Sequence, residues 1–461
     1  MTAAIAAGHP ATVAAGVEIL QAGGSAADAA VAASLASCVA ETVMTGLLGG
    51  GHAIYYDAAA DVAENLDFFV AVPGLEARKR EVELLELDVP FGAELVHYAV
   101  GIASCGVPGV AAGLGELWRR HGRLEWAALV EPARRIASRG VEMPPAHAAC
   151  LAMLAPVMTM NEGARIYAPG GSLLAAGDRL EQPGLVRALE LVAQEGPESC
   201  YSGTIAATLL ELVTERGGLV TRADLDAYEP KWRIPSEVEY LRLRVLTRGD
   251  LSGVPETVIR LPRLAAMDEA QRAIVLARTL ASPSDSDAHT TNITTTDADG
   301  NACVLTTSLG LGSGDFLPGL DLHLNSMLGE ADLVRGELEP GERMSSMMAP
   351  TLVLDGAVPT LAIGAAGGTR LRAALLQVVA GVLDEGLELQ AAVDRPRLHA
   401  TVGRVQLEPG FGEAAVQALA AAGFEPRVWP DRHHFFGGVS AVTPNAAAGD
   451  PRRSGAAATV P

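Results

Sequence analysis

Cysteine is scarce in this chain. Its five residues, Cys38, Cys105, Cys150, Cys200 and Cys303, are odd in number, scattered, and never paired as C-x-x-C. That pattern argues against a disulfide framework and against a zinc site, and the thiols read as small buried hydrophobes. Basic charge is also thin: 34 Lys and Arg stand against 55 Asp and Glu, a formal net charge of -21, with no local reversal of sign. Such a surface repels phosphate backbones and anionic lipid, so nucleic acid is excluded as a partner and the charge reads as solubility. No uncharged apolar run reads as a bilayer span, and Met1 to Pro10 has neither a basic n-region nor a long apolar h-region. A cytosolic location without membrane contact is expected.

What is present is apolar surface. With 461 residues, 49% of them hydrophobic, the chain can bury one large core or two. The first half reads as helices punctuated by glycine: Ala11 to Leu20 and Ser25 to Val39 are Ala-rich and divided by Ala22-Gly23-Gly24. Gly49-Gly50-Gly51 then leads into a predicted strand, His52 to Tyr56. Helical spacing returns over 109–140, with a break expected at Pro132, and over 185–217.

Between Ala281 and Asp287 lies a small, polar, turn-forming linker with no apolar period. Two β-branched runs follow it, Thr290 to Thr296 and Ala302 to Ser308, joined by Asp297-Ala-Asp-Gly-Asn301. This predicts a hairpin that opens at Thr290. Further strands are expected at Thr351 to Leu354 and Thr360 to Ile363, and a helix from about Leu371 to Leu383 after a glycine-rich loop.

A flexible linker ending at a threonine that opens a core strand is what an N-terminal-nucleophile hydrolase needs. A cut before Thr290 frees an α-amine whose ordinary pKa, roughly 7.7 to 8.0, suits it as general base for that residue's own hydroxyl. On these residues alone, an ordinary threonine-rich strand is the alternative.

The segment from His289 to Ser308 resembles that of the γ-glutamyltransferase family, with Thr290-Thr291 at the position of the catalytic Thr-Thr and Asp297-x-Asp299-Gly300-Asn301 at the following turn. Other blocks fall in family order: Gly23-Gly24-Ser25 through Ala30, Leu48 to Gly51, Gly106-Val107-Pro108-Gly109, Ser345-Ser346-Met347 with Pro350-Thr351, Gly364-x-x-Gly367-Gly368-Thr369-Arg370, and Gly449-Asp450-Pro451-Arg452-Arg453. The resemblance implies an α+β fold, a four-layer αββα sandwich, in a proenzyme cut between His289 and Thr290. Residues 1–289 and 290–461 would then form a heterodimer with one interleaved core. It implies amide hydrolysis or acyl transfer on a small-molecule amide or γ-glutamyl donor, with no cofactor and no metal. Thr290 is the implied nucleophile and Ser308 its hydrogen-bonding support. Gly367 and Gly368 supply the oxyanion hole, while Ser345 and Ser346 contact the donor's carboxylate end. The extra residue in that serine block offers Met347 as the alternative occupant of the second serine's place.

Departures from the family concentrate in donor recognition. Where the family has a carboxylate-clamping arginine in Asp-Phe-Arg-Glu, this chain has Asp67-Phe68-Phe69-Val70; its asparagine after the supporting threonine aligns with Gly310. The residues that hold the donor's α-amine align near Ser326 and Gly329, with Glu330 one position on. Because a zwitterion pocket without its ionic partners loses specificity, two rivals stand beside γ-glutamyl transfer. One is an acylase for a non-glutamyl amide; the other is a non-catalytic homologue that binds. His433-His434 are read as cleft or loop residues rather than metal ligands.

Overall fold

The computed structural model describes residues 2–76, 83–91, 94–281 and 290–460. The 281–287 linker lies, from 282 on, outside the described residues, as does His289.

Two antiparallel sheets stack face to face. The first runs in the order Ala456–Val460, Ala3–Ala7, Thr291–Thr296, Ala302–Ser308, Gly50–Asp57, Val62–Phe68, Lys231–Arg233. The second runs Ala446–Gly449, Gly438–Thr443, Val358–Ala366, Thr351–Asp355, Leu243–Thr247, Ser236–Tyr240. Between them lies a thin apolar seam of Ile54, Tyr56, Val304, Leu352, Leu354 and Ala362. The outer face of the first sheet packs on helices that include Ala26–Ala40 and Trp126–Arg139, and that of the second on helices that include Glu269–Leu280 and Arg370–Leu383. The result is the expected four-layer αββα sandwich.

Sequence reasons for these elements are local. The helix Ala26–Ala40 is small-residue-rich and buried all round, and Ser25 with Asp28 closes a capping box at its start. Its first N–H groups also meet the turn between the hairpin strands, since Ala26 donates to Asp297 at 3.0 Å. Most predicted elements appear within a residue or two of their expected ends. Two stretches differ: 185–217 is two helices, Pro183–Glu195 and Thr204–Arg216, parted after Gly196, and Pro132 sits inside the helix Trp126–Arg139, where the break falls instead at Gly122. Proline is accommodated because a helix can forgo one N–H bond when its apolar face is well buried. Gly122 admits no side chain, since a Cβ there would lie 2.5 Å from the Trp118 carbonyl.

Candidate active site

Strand alternation sorts the hairpin's threonines. From Thr291–Thr296, Ile293 enters the helix-side core and Thr295 donates to the Ala26 carbonyl at 2.7 Å. Thr291, on that same face, donates to Glu41. On the other face Thr294 donates to the Ser440 carbonyl at 2.9 Å, and the Asn292 amide bridges Thr306 at 2.7 Å and Thr294 at 3.2 Å. A run of six buried polar and β-branched residues is thereby satisfied without water. Thr290 precedes the strand and belongs to the inter-sheet set. Its neighbour Thr291 pairs with Thr307, so continuing the register by one residue sets Thr290 opposite Ser308.

Thr290 and Ser308 are buried and line one pocket. Its walls are apolar, from Phe69, Met327, Leu333, Met348 and Leu371, and Met347 joins them. Gly368 and Ser346 close the remaining sides. The strand Val358–Ala366 ends against this pocket, and the chain then turns through Gly367 at φ 129° and Gly368 at φ 54° into the helix Arg370–Leu383. Both glycines have backbone conformations that a side chain disfavours, and a Cβ on Gly367 would come within 3.0 Å of Gly437. Two successive N–H groups at a strand-to-helix turn are suited to holding a developing oxyanion.

The two serines of the 345–346 pair part company. Ser346 lines the Thr290 pocket, with its N–H on Asp250 at 2.9 Å and its carbonyl accepting from Arg248 at 2.8 Å. Ser345 lines a separate charged cleft of about 310 Å³ with Arg248, Asp250 and Arg343. Met347 lines the Thr290 pocket beside Ser346. Gly310, at φ 70°, leaves space that Glu330 and Ser326 fill: a Cβ at 310 would meet Glu330 Oε1 at 2.3 Å and Ser326 Oγ at 2.7 Å.

Phe69 projects into the pocket at the place where the family resemblance puts an arginine, and no lysine or arginine is among the described residues of that wall. The nearby guanidinium groups are committed elsewhere. Arg343 donates to the Phe69 carbonyl at 2.5 Å and the Glu229 carbonyl at 2.6 Å and stacks on Tyr228. Arg370 is buried over Phe435. Among the described residues of the pocket wall the one ionisable side chain is Glu330, whose Oε1 is buried without a hydrogen-bond partner; burial, reinforced by Asp332, pushes its pKa up to about 8. His433 and His434 form a tight turn beside Trp429 and Phe435, away from this wall.

Two residues of the site were not singled out from the sequence. Glu41 lies beneath Thr291, and Arg453 donates to the Thr290 carbonyl at 3.3 Å. A signal for the first existed: Glu41 is the only acid between Asp28 and Asp57, in a stretch otherwise apolar or small. Arg453 belongs to a matched C-terminal block whose role the sequence did not specify.

The sequence profile of the family described as gamma-glutamyltranspeptidase matches residues 12–273 and 250–460. The acylase ACY 1 proenzyme of Pseudomonas sp. (strain V22) is 29% identical across 95% of this chain and 89% of its own length. The glutathione hydrolase proenzyme of Bacillus subtilis (strain 168) is 26% identical across 91% of this chain and 84% of its own. Among solved structures, a cephalosporin acylase from Bacillus halodurans superposes with a TM-score of 0.83 at 24% identity, covering 99% of this chain and 95% of that one. That likeness establishes the shared fold.

Proposed function

Because this chain belongs to the γ-glutamyltranspeptidase family, we propose that it is a self-processing amide hydrolase or acyltransferase with the Thr290 hydroxyl as its nucleophile. The observation that carries the reading is the convergence of Thr290, Ser308 and Gly368, the second glycine of the turn, on one largely apolar pocket.

In the uncut chain the Thr290 hydroxyl attacks the carbonyl of residue 289; collapse breaks the C–N bond, which frees the α-amine and leaves residue 289 as an ester on Thr290, and water then hydrolyses that ester to a carboxylate and the restored hydroxyl. In turnover the same hydroxyl adds to the donor amide carbonyl while the α-amine takes its proton. N–H groups of Gly367 and Gly368 hold the oxyanion, and Ser308 orients the hydroxyl from the facing strand. Collapse expels the amine, which leaves with that proton, and the acyl group remains as an ester on Thr290. Water or an acceptor amine then releases it. Residues 1–289 and 290–461 stay together as a heterodimer, and the cytosol is its proposed location.

For the donor, Phe69 and the surrounding methionines favour a neutral or weakly polar acyl group over γ-glutamyl. Relatives named as acylase and as glutathione hydrolase are both compatible with the reaction centre. The test of the nucleophile is Thr290→Ala: the variant should remain one chain on a denaturing gel and show no amidase activity. Sequencing the smaller fragment of the unaltered protein should read Thr-Thr-Asn-Ile. Any other start, or a Thr290→Ala protein that still matures, would move the role elsewhere.

A further inference from the structure

The residue next to the proposed nucleophile is gripped from behind. Thr291 turns away from the donor pocket and donates to Oε2 of Glu41, while Thr12 of the helix Pro10–Gln21 donates to Oε1 at 2.6 Å. Glu41 is the C-cap of the helix Ala26–Ala40 and is buried. Gly8 leaves room for it, since a Cβ there would lie 2.3 Å from Oε2. Glu41, Thr290, Thr291 and Arg453 line one void, which shares Thr290 with the donor pocket, and Arg453 reaches from it to the Thr290 carbonyl.

Two hydroxyls offset only part of the cost of burying a carboxylate. Stability alone would favour an amide or an apolar side chain at this place. We propose that Glu41 is a positioning residue of the amide-cleaving centre: by holding Thr291 from the helix side it fixes the orientation of Thr290, and its negative charge tunes the α-amine that acts as base. The proposal rests on Thr290 being the nucleophile.

Among the groups that line its own void, Glu41 is the one whose charge changes near neutrality; Glu330, pushed up to about 8, lines the donor pocket instead and is the same in every variant compared. Burial keeps His9 and His147 neutral, lowering them to about 4 and about 3, and it raises the Cys38 thiol far above neutrality. Asp450 is held low by Arg397 and Arg452. Arg453, though lowered by burial, remains a cation facing the carboxylate. Burial raises Glu41 itself to about 7, against the pull of its two hydroxyl partners and Arg453. An ionised Glu41 favours the ammonium form of the nearby α-amine. Removing the charge should therefore shift the acidic limb of kcat to lower pH, by roughly half a unit.

The experiment compares Glu41→Gln, Thr291→Val and the double variant, each as the processed protein, by pH-resolved kcat and KM on an anilide donor. In Glu41→Gln, kcat should fall about tenfold with KM within about twofold, and the acidic limb should move down. Thr291→Val should lower kcat similarly without moving the limb, because the buried charge stays. The double variant should be no worse than the worse single one, as expected for a contact acting as a unit. A Glu41→Gln enzyme with unaltered kcat and limb would overturn the proposal, as would additive losses. If Glu41→Gln does not mature, Thr291→Val decides alone, and an unaltered kcat there also overturns it. Loss of the nucleophile assignment would show separately, as Thr290→Ala protein that matures and turns over.

Discussion

At the residue scale, the pocket's chemistry turns on two side chains, Phe69 and Glu330. An arginine paired with a carboxylate in a desolvated pocket is worth roughly 2 to 5 kcal/mol when one partner is removed, or about 30-fold to several thousandfold in rate. With Phe69 on that wall and Arg343 tied to backbone carbonyls, γ-glutamyl-p-nitroanilide should be a poor donor. The kcat/KM values of neutral acyl anilides on the processed protein should exceed it. Family-like efficiency on the glutamyl donor would show that a basic residue outside this wall does the clamping. Glu330 makes a different prediction. Its folded pKa, near 8, lies above the ordinary value of 4.5, so the folded state binds more protons than the unfolded one between those limits. Stability from this group is therefore full below about pH 4.5 and is lost as pH rises through about 8, by on the order of 3 to 5 kcal/mol in total. Glu330→Gln should flatten that fall. Urea midpoints at pH 5 and pH 8.5 compare the two proteins, and parallel curves would contradict the assignment.

At the element scale, the centre is a junction of two strands and a turn from different sheets. The strand Val358–Ala366 passes so close to Thr291–Thr296 that a Cβ on Gly364 would lie 1.9 Å from Asn292 Oδ1. Asn292 cannot give way cheaply, because its amide is shared between Thr294 and Thr306. Gly364→Ala should thus cost about 1 to 3 kcal/mol by overpacking and displace the turn that carries Gly367. Denaturant midpoints and kcat should fall together; a fully stable, fully active variant would mean that the sheets separate more easily here than their packing suggests. The hairpin itself was legible in advance, because β-branched runs and an Asp-Gly turn are short-range signals. Pro132 was misread because its effect depends on how firmly the rest of the helix is packed, which neighbouring sequence does not reveal.

At the scale of the whole molecule, the proposed cut separates residues that the first sheet keeps adjacent. Thr291–Thr296 pairs with Ala3–Ala7 on one side, and its hairpin partner Ala302–Ser308 pairs with Gly50–Asp57 on the other. Ala456–Val460 closes the outer edge of Ala3–Ala7. Residues from both sides of position 290 thus alternate through one hydrogen-bonded ladder. The processed protein should show two bands on a denaturing gel yet elute as one species in native size exclusion, separating only at unfolding concentrations of denaturant. Fragments that part under native conditions would contradict this interleaving.

The sequence by itself determined the elements, the threonine-rich hairpin after a polar linker, the glycine pair before a helix, and the family. All of these rest on short-range pattern or on the order of motifs along the chain. Tertiary structure alone decided which side chains share a space. Ser345 and Ser346 are neighbours in sequence, but they line different clefts because consecutive residues in an extended segment face opposite ways. Glu41 and Thr291 lie 250 positions apart and touch, because the helix Ala26–Ala40 packs across the strand that Thr291 opens. Layer packing fixes such contacts, and no local periodicity encodes them.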